Sequence, residues 1–166
     1  MTTTLNATTS NGLVTTPDNS GAIALQNAGV TGLNVSATGQ VTMPLQVCYS
    51  AYMNGGYTNA VIVYGNPYVN IGAAYNTSTG VFTAPVAGVY EFYASAYANG
   101  GAMTIQLNVN GTCKAISKVN ATQFTAVVHL IYTLAVGDYV TAGAGLGVQA
   151  YGDSNGYAIF TGRLIQ

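Results

Sequence analysis

The chain predicts an all-β fold, a sandwich of roughly ten short strands. Three observations point there. The apolar period is two wherever a pattern is clear, and no segment shows the 3.6-residue period of a helix. Twenty-one glycines break the 166-residue chain into short pieces. Tyrosine is abundant, at 13 residues, while Lys, Arg, Asp and Glu together make up only 4%.

The strands are readable in order. Residues 1–44 hold no aromatic residue and a single charge, Asp18. Four short pieces there alternate in polarity: Gly12 to Val14, Ala22 to Leu25, Leu33 to Val35 and Gln40 to Met43. None buries enough surface alone. The segment reads as an extended, β-rich N-terminal arm that is either flexible or ordered against partner chains. From Leu45 the aromatics begin, so residues 45–166 read as the main domain. Residues 88–98 place Tyr90, Phe92, Ala94 and Ala96 on one face and Val89, Glu91, Tyr93, Ser95 and Tyr97 on the other. Residues 103–109 alternate Met103, Ile105, Leu107 and Val109 against Thr104, Gln106 and Asn108. Asn110-Gly111 follows as a hairpin turn, with a return strand over 114–119. Residues 124–134 put Phe124, Ala126, Val128, Leu130, Tyr132 and Leu134 on one side. The other side, Thr125, Val127, His129, Ile131 and Thr133, is too apolar to face water. Residues 157–165 close the chain, with Ala158, Phe160, Gly162 and Leu164 opposed to Tyr157, Ile159, Thr161, Arg163 and Ile165.

Composition excludes several functions. A net charge of −1 with no basic run leaves nothing to neutralise phosphates, so no nucleic-acid partner is expected. No apolar run reaches the ~18 residues of a membrane span. Met1 to Asn6 lacks the basic and apolar regions of a secretory signal, so synthesis in a cytoplasm is expected. Cys48 and Cys113 read as two buried, reduced thiols rather than a disulfide framework. The sequons at Asn6, Asn34, Asn76, Asn110 and Asn120 are what an Asn- and Thr-rich chain produces by chance.

One stretch carries a specific pattern. Residues 70–75 read N-x-G-x-x-Y, with Asn70, Gly72 and Tyr75. Residues 79–92 read T-G-x-F-x-x-P-x-x-G-x-Y-x-F, with Thr79, Gly80, Phe82, Pro85, Gly88, Tyr90 and Phe92. Leu134, Gly137, Asp138 and Val140 then fit L-x-x-G-D-x-V, and Phe160, Gly162 and Leu164 fit a closing F-S-G-F-L-L. Together they resemble the globular head domain of complement component one-q, a jelly roll of the tumour-necrosis-factor superfamily, over residues 45–166. Gly80 and Gly88 suit backbone geometry closed to other residues. Phe82, Tyr90 and Phe92 would fill the inter-sheet core, and Asp138 would bond backbone N–H groups at a corner. Residues 17–35, beginning Pro17-Asp18-Asn19-Ser20-Gly21, resemble the N-terminal linkers of tailed-phage fibre and appendage proteins.

The resemblance implies a ten-stranded jelly roll that assembles as a homotrimer, one sheet of each copy facing the threefold axis. The strand at 88–98 would lie between the final strand and that at 124–134. The trimer-interface candidates are Glu91, Tyr93, Tyr97, Val127, His129, Ile131, Tyr157, Ile159 and Arg163. Pairing would set Glu91 beside Arg163 as a buried or half-buried ion pair, with His129 close by.

Catalytic chemistry is not encoded. There is one histidine, at position 129 and mid-strand, and no G-x-S-x-G elbow. Gly143 to Gly147 is glycine-rich, yet no helix follows to hold a phosphate. No cofactor is expected. Some relatives of this fold hold calcium through loop carboxylates; Asp153 is the tip-like candidate here, and a turn is the better reading of it. Two functions remain. The first is a non-enzymatic structural protein of a phage virion, a fibre, spike or capsid decoration, contacting other virion proteins through residues 1–44. The second is a receptor-binding module for a host glycan or protein. Its contacts would lie on loops carrying Tyr52, Tyr57, Tyr64, Tyr68, Tyr151 and Asp153.

Overall fold

The computed structural model describes residues 22–57, 60–99, 101–120, 125–144, 149–153 and 155–166. The strand expected at 12–14, the Pro17 to Gly21 motif, Phe124 and residues 145–147 lie outside them. The chain divides into two compact units, Met1–Leu45 and Gln46–Gln166.

The first unit contains β1 (Ile23–Asn27), β2 (Val30–Val35) and β3 (Val41–Thr42), which form a three-stranded antiparallel sheet in that order. Ala28 and Gly29 turn the chain between β1 and β2 with φ of 50° and 79°. Both turn residues have positive φ, as in the tight turns whose twist matches paired strands.

The second unit contains β4 (Cys48–Tyr52), β5 (Gly55–Tyr57), β6 (Asn66–Ile71), β7 (Tyr75–Asn76), β8 (Val81–Thr83), β9 (Gly88–Asn99), β10 (Met103–Val109), β11 (Thr112–Val119), β12 (Thr125–Leu134), β13 (Tyr139–Ala144), β14 (Gln149–Gly152) and β15 (Ile159–Leu164). A five-stranded sheet has the order β11-β10-β13-β8-β7. A seven-stranded sheet has the order β5-β14-β9-β15-β4-β6, with β12 paired to β9 as well. β9 therefore lies between β15 and β12, as the resemblance implies. Among the described residues the unit forms twelve strands, where ten were expected. The short β5, β7 and β14, of three, two and four residues, are too brief to leave a sequence period.

Alternation sets the core. Tyr90, Phe92, Ala94, Ala96 and Ala98 of β9 are buried, as are Met103, Ile105, Leu107 and Val109 of β10. An aromatic cluster joins the two sheets. Tyr49 stacks on Tyr75 with centroids 4.5 Å apart, and Phe160 meets Tyr49 edge-on at 5.1 Å. Phe82 contacts Tyr90 and Phe92 at 5.5 and 5.2 Å. Such pairs stabilise by ~0.5–1.5 kcal/mol each beyond area burial.

Two motif glycines serve different ends. Gly80 has φ of 73°, a left-handed conformation. Gly88 does not; any Cβ there would collide with the backbone of Gln166 and the side chain of Leu164. Gly88 thus supplies space, not a special dihedral, for the C-terminal segment that pairs with Val89. Asn110 and Gly111, with φ of 50° and 77°, make the predicted hairpin turn.

Asp138 behaves as a corner residue. Its Oδ2 accepts from the Ala135 N–H at 2.8 Å, and its Oδ1 accepts from Asn110 Nδ2 at 2.8 Å. Asn110 Oδ1 in turn accepts from the Tyr139 N–H at 2.9 Å. These bonds hold the Asp138 carboxyl below its usual range, the Asn110 bond contributing most.

Neither thiol is fully buried, contrary to expectation. Cys48 falls out of phase with the inward Val47, Tyr49 and Ala51 and is half-buried. Cys113 follows the hairpin turn on the edge strand β11 and is exposed.

Candidate functional site

The outward face of the seven-stranded sheet can be read row by row, because directly paired residues share a face. One row runs Ile71, Cys48, Arg163, Glu91, Ile131 across β6, β4, β15, β9 and β12. The next runs Val69, Ser50, Thr161, Tyr93, His129 across the same strands. Farther along, Tyr52 pairs with Ile159, and Ser95 with Val127. Beyond those, Tyr97 sits between Tyr151 of β14 and Thr125 of β12. Tyr157 precedes β15 and lies 5.9 Å from Tyr97, ring to ring.

Much of the apolar surface on this face is uncovered in the single chain. Val69, Ile71, Val127, Ile131, Tyr151 and Tyr157 are all exposed. Tyr93, Tyr97 and Ile159 are half-buried. The outward side of β12, read from sequence as too apolar for water, is solvent-facing in the protomer.

Charge enters the face at one place. Arg163 donates from Nε to Glu91 Oε2 at 2.7 Å, and its Nη2 lies 2.6 Å from the same oxygen. His129 Nε2 lies 3.0 Å from Glu91 Oε1, so its Nε2–H tautomer donates there. The bond with His129 first, and that with Arg163 next, hold the Glu91 carboxyl below its usual range. The Glu91 side chain is 28% exposed, against 65% for Arg163. With neutral His129 the cluster has no net charge.

A cleft of ≈ 330 Å³ opens over this cluster, lined by Cys48, Tyr93, Thr161 and the three cluster residues, with Tyr49 and Gly162 at its floor. Cys48 and His129 share it, yet β15 and β9 stand between β4 and β12. Three strand spacings of ~4.8 Å put the pair ~14 Å apart, too far for a thiol and its base. Both Glu91 oxygens are already engaged. Among the described residues, no group of three or more His, Cys, Asp or Glu side chains could hold a metal ion.

The residues read as receptor contacts separate. Tyr64 is a correction: it is fully buried, its hydroxyl donating to the Ser95 carbonyl at 2.9 Å. Its N–H donates to the Tyr75 hydroxyl at 3.2 Å. Ile62 and Tyr64 alternate inward like strand residues, a two-residue period that could have shown this. Tyr49 and Tyr75 are core residues by the same logic. Tyr68 is 59% exposed and sits at a β-bulge opposite Ser50 and Ala51. The bulge re-aims its ring onto Tyr52, centroids 4.9 Å apart, leaving Tyr52 half-buried. Tyr151 is exposed, though on the sheet face and not on a loop. Asp153 closes a turn, accepting from Asn155 N and Nδ2 at 2.9 Å each. The Tyr57 side chain lies outside the described residues. Tyr132, on the same side of β12 as the buried Ala126 and Val128, is half-buried, with the Lys114 ammonium 5.8 Å from its ring centre.

Two facing antiparallel sheets, the larger with β9 central between β15 and β12, define a jelly roll of the tumour-necrosis-factor type. Among solved structures the chain is similar to the globular domain of zebrafish complement 1qA protein. That likeness has a TM-score of 0.60 and 21% identity, and covers 73% of this chain and 98% of the other. It is similar to Eiger TNF from S. frugiperda, with a TM-score of 0.60, 11% identity and coverage of 73% and 93%. Murine APRIL gives a TM-score of 0.61, 10% identity and coverage of 72% and 99%. The C1q domain family matches residues 45–165, and the chain belongs to that family. No curated protein matches it.

Proposed function

We propose that this protein is a non-enzymatic structural subunit of a tailed-phage particle. It assembles as a homotrimer through the outward face of its seven-stranded sheet and serves as a fibre, spike or capsid decoration. The observation that carries the assembly is that face itself, where Val69, Ile71, Val127, Ile131, Tyr151 and Tyr157 lie exposed around a charge-balanced cluster in one chain. Several large apolar side chains exposed on one sheet face mark an interaction site. The Glu91, Arg163 and His129 cluster is suited to burial there, since the Arg163 guanidinium offsets the Glu91 carboxylate and both Glu91 oxygens are engaged. Domains of the C1q family typically form homotrimers. The particle context is supported by the resemblance of residues 17–35 to phage appendage linkers. On this reading the protein resides in the virion, where residues 1–44 contact other virion proteins.

Sedimentation of the purified chain tests the assembly. A species of about three times the 17.0 kDa chain mass is expected, and a monomer at micromolar concentration overturns it. Antibody labelling of phage particles tests the context. Signal on capsid or tail supports it; absence from every particle refutes it. Exposed Tyr68 and Tyr151 favour a second reading, attachment to a host glycan or protein. Adsorption of the purified protein to host cells, lost on Tyr68→Ala, would establish that one.

A further inference from the structure

The small sheet of the first unit is amphipathic in a way its short pieces conceal. Ile23 pairs with Val35, Leu25 with Leu33, and Val35 with Val41. These five side chains therefore share one face. Ala24 pairs with Asn34, Gln26 with Thr31, and Asn34 with Thr42, so the opposite face is polar. The Gln26 amide donates to the Thr31 hydroxyl at 3.2 Å on that side. A bulge between Leu25 and Gln26, opposite Gly32, keeps both faces in phase.

The apolar face is not covered. Ile23, Leu25 and Val41 are 52%, 49% and 63% exposed. A three-stranded sheet cannot bury one of its own faces. No residue from 22 to 45 is charged, so the face has nothing to offer a nucleic acid or an anionic surface. Strand spacing and rise give it an area on the order of 200 Å². That is far below the ~800 Å² per partner of a self-sufficient interface. A patch this small cannot recruit a free partner, but it can close against one already tethered nearby. Tethering raises the effective concentration to about millimolar without any new contact. The chains available at that concentration are the other copies held together by their jelly rolls.

We infer that the Ile23, Leu25, Leu33, Val35 and Val41 face packs against the same face of the other copies, giving the assembly a second, N-terminal hydrophobic seam. This rests on the trimeric reading of the C-terminal unit. It commits the apolar side of residues 23–42 to self-contact and leaves the polar side, with Gln26 and Thr31, for solvent or other virion proteins.

Cross-linking of the full chain tests it. In a background with Cys48→Ser and Cys113→Ser, Leu25→Cys is compared with Gln26→Cys using a short bis-maleimide, and each protein is sedimented in parallel. Expected is a trimer in both, with at least tenfold more chain-to-chain cross-linking at position 25 than at 26. A trimer in which the two positions cross-link equally, or position 25 not at all, overturns the seam while leaving the jelly-roll assembly intact. A monomer overturns the assembly reading and the seam with it.

Discussion

Placing a carboxylate on the outward face of β12 separates folding from assembly. Val127 is 41% exposed and pairs with the neutral Ser95, so Val127→Asp meets no like charge across the strand. In the isolated protomer the change costs up to ~1 kcal/mol, the span of strand preferences. In the trimer the arithmetic differs. Covering the rest of a valine gains ~0.6 kcal/mol per chain, from ~1.5 kcal/mol for full burial, or ~2 kcal/mol for three. Each buried, unpaired carboxylate then costs several kcal/mol more. A combined penalty above ~5 kcal/mol raises the dissociation constant more than ~1,000-fold. Sedimentation velocity over a dilution series reads the assembly, and circular dichroism melting reads the fold. The expected result is a folded monomer; Val127→Ser, lacking the charge, should remain trimeric at high concentration. A Val127→Asp trimer that dissociates within tenfold of the parent would show that this face is not the interface.

Three further perturbations probe the core and the ion cluster. Gly162→Ala should lower stability by ~1–3 kcal/mol in urea denaturation, because its Cβ would sit 2.7 Å from Phe92 Cδ1 and still closer to the Tyr49 ring. Tyr49→Phe should be neutral or stabilise by up to ~1–3 kcal/mol, since the buried Tyr49 hydroxyl has no hydrogen-bond partner among the described residues; a clear loss of stability would reveal a hidden one. Glu91 titrates below the usual value of 4.5 in the folded chain. Its stabilising contribution is therefore complete above about pH 4.5 and fades as pH falls through the lowered value. Glu91→Gln should flatten that acid limb of a melting-temperature profile; an unchanged slope would remove Glu91 as its source.

The main strands were legible because burial follows a period of two. Met103 to Val109 and Tyr90 to Ala98 show it, broken among the described residues by the buried Ser95 and Asn108. The Glu91–Arg163 pairing was legible too, because the resemblance set β15 beside β9 and parity did the rest. Tyr64 was not, for it lies next to Gly65 and Pro67 in a stretch whose turn residues mask two inward positions. The Tyr52–Tyr68 stack depends on a bulge, and a one-residue irregularity leaves no trace in a periodic pattern. The twelve-strand count exceeded the expected ten because two- to four-residue ribbons owe their existence to neighbours already in place. The sheet of the first unit was visible as pieces, while its sidedness emerged only with the register.

The bonds joining Asn110 to Asp138 and Tyr139 have a kinetic consequence. Asn110 follows β10 of the five-stranded sheet; β12 belongs to the other sheet, and β13 returns beside β10. The native chain between Asn110 and Asp138 thus leaves one sheet for the other and comes back. Those bonds close the 28-residue excursion and form only when β13 has come to pair beside β10. A probe at position 110 or 138 would therefore report this long-range strand pairing, separately from formation of the local β10–β11 hairpin.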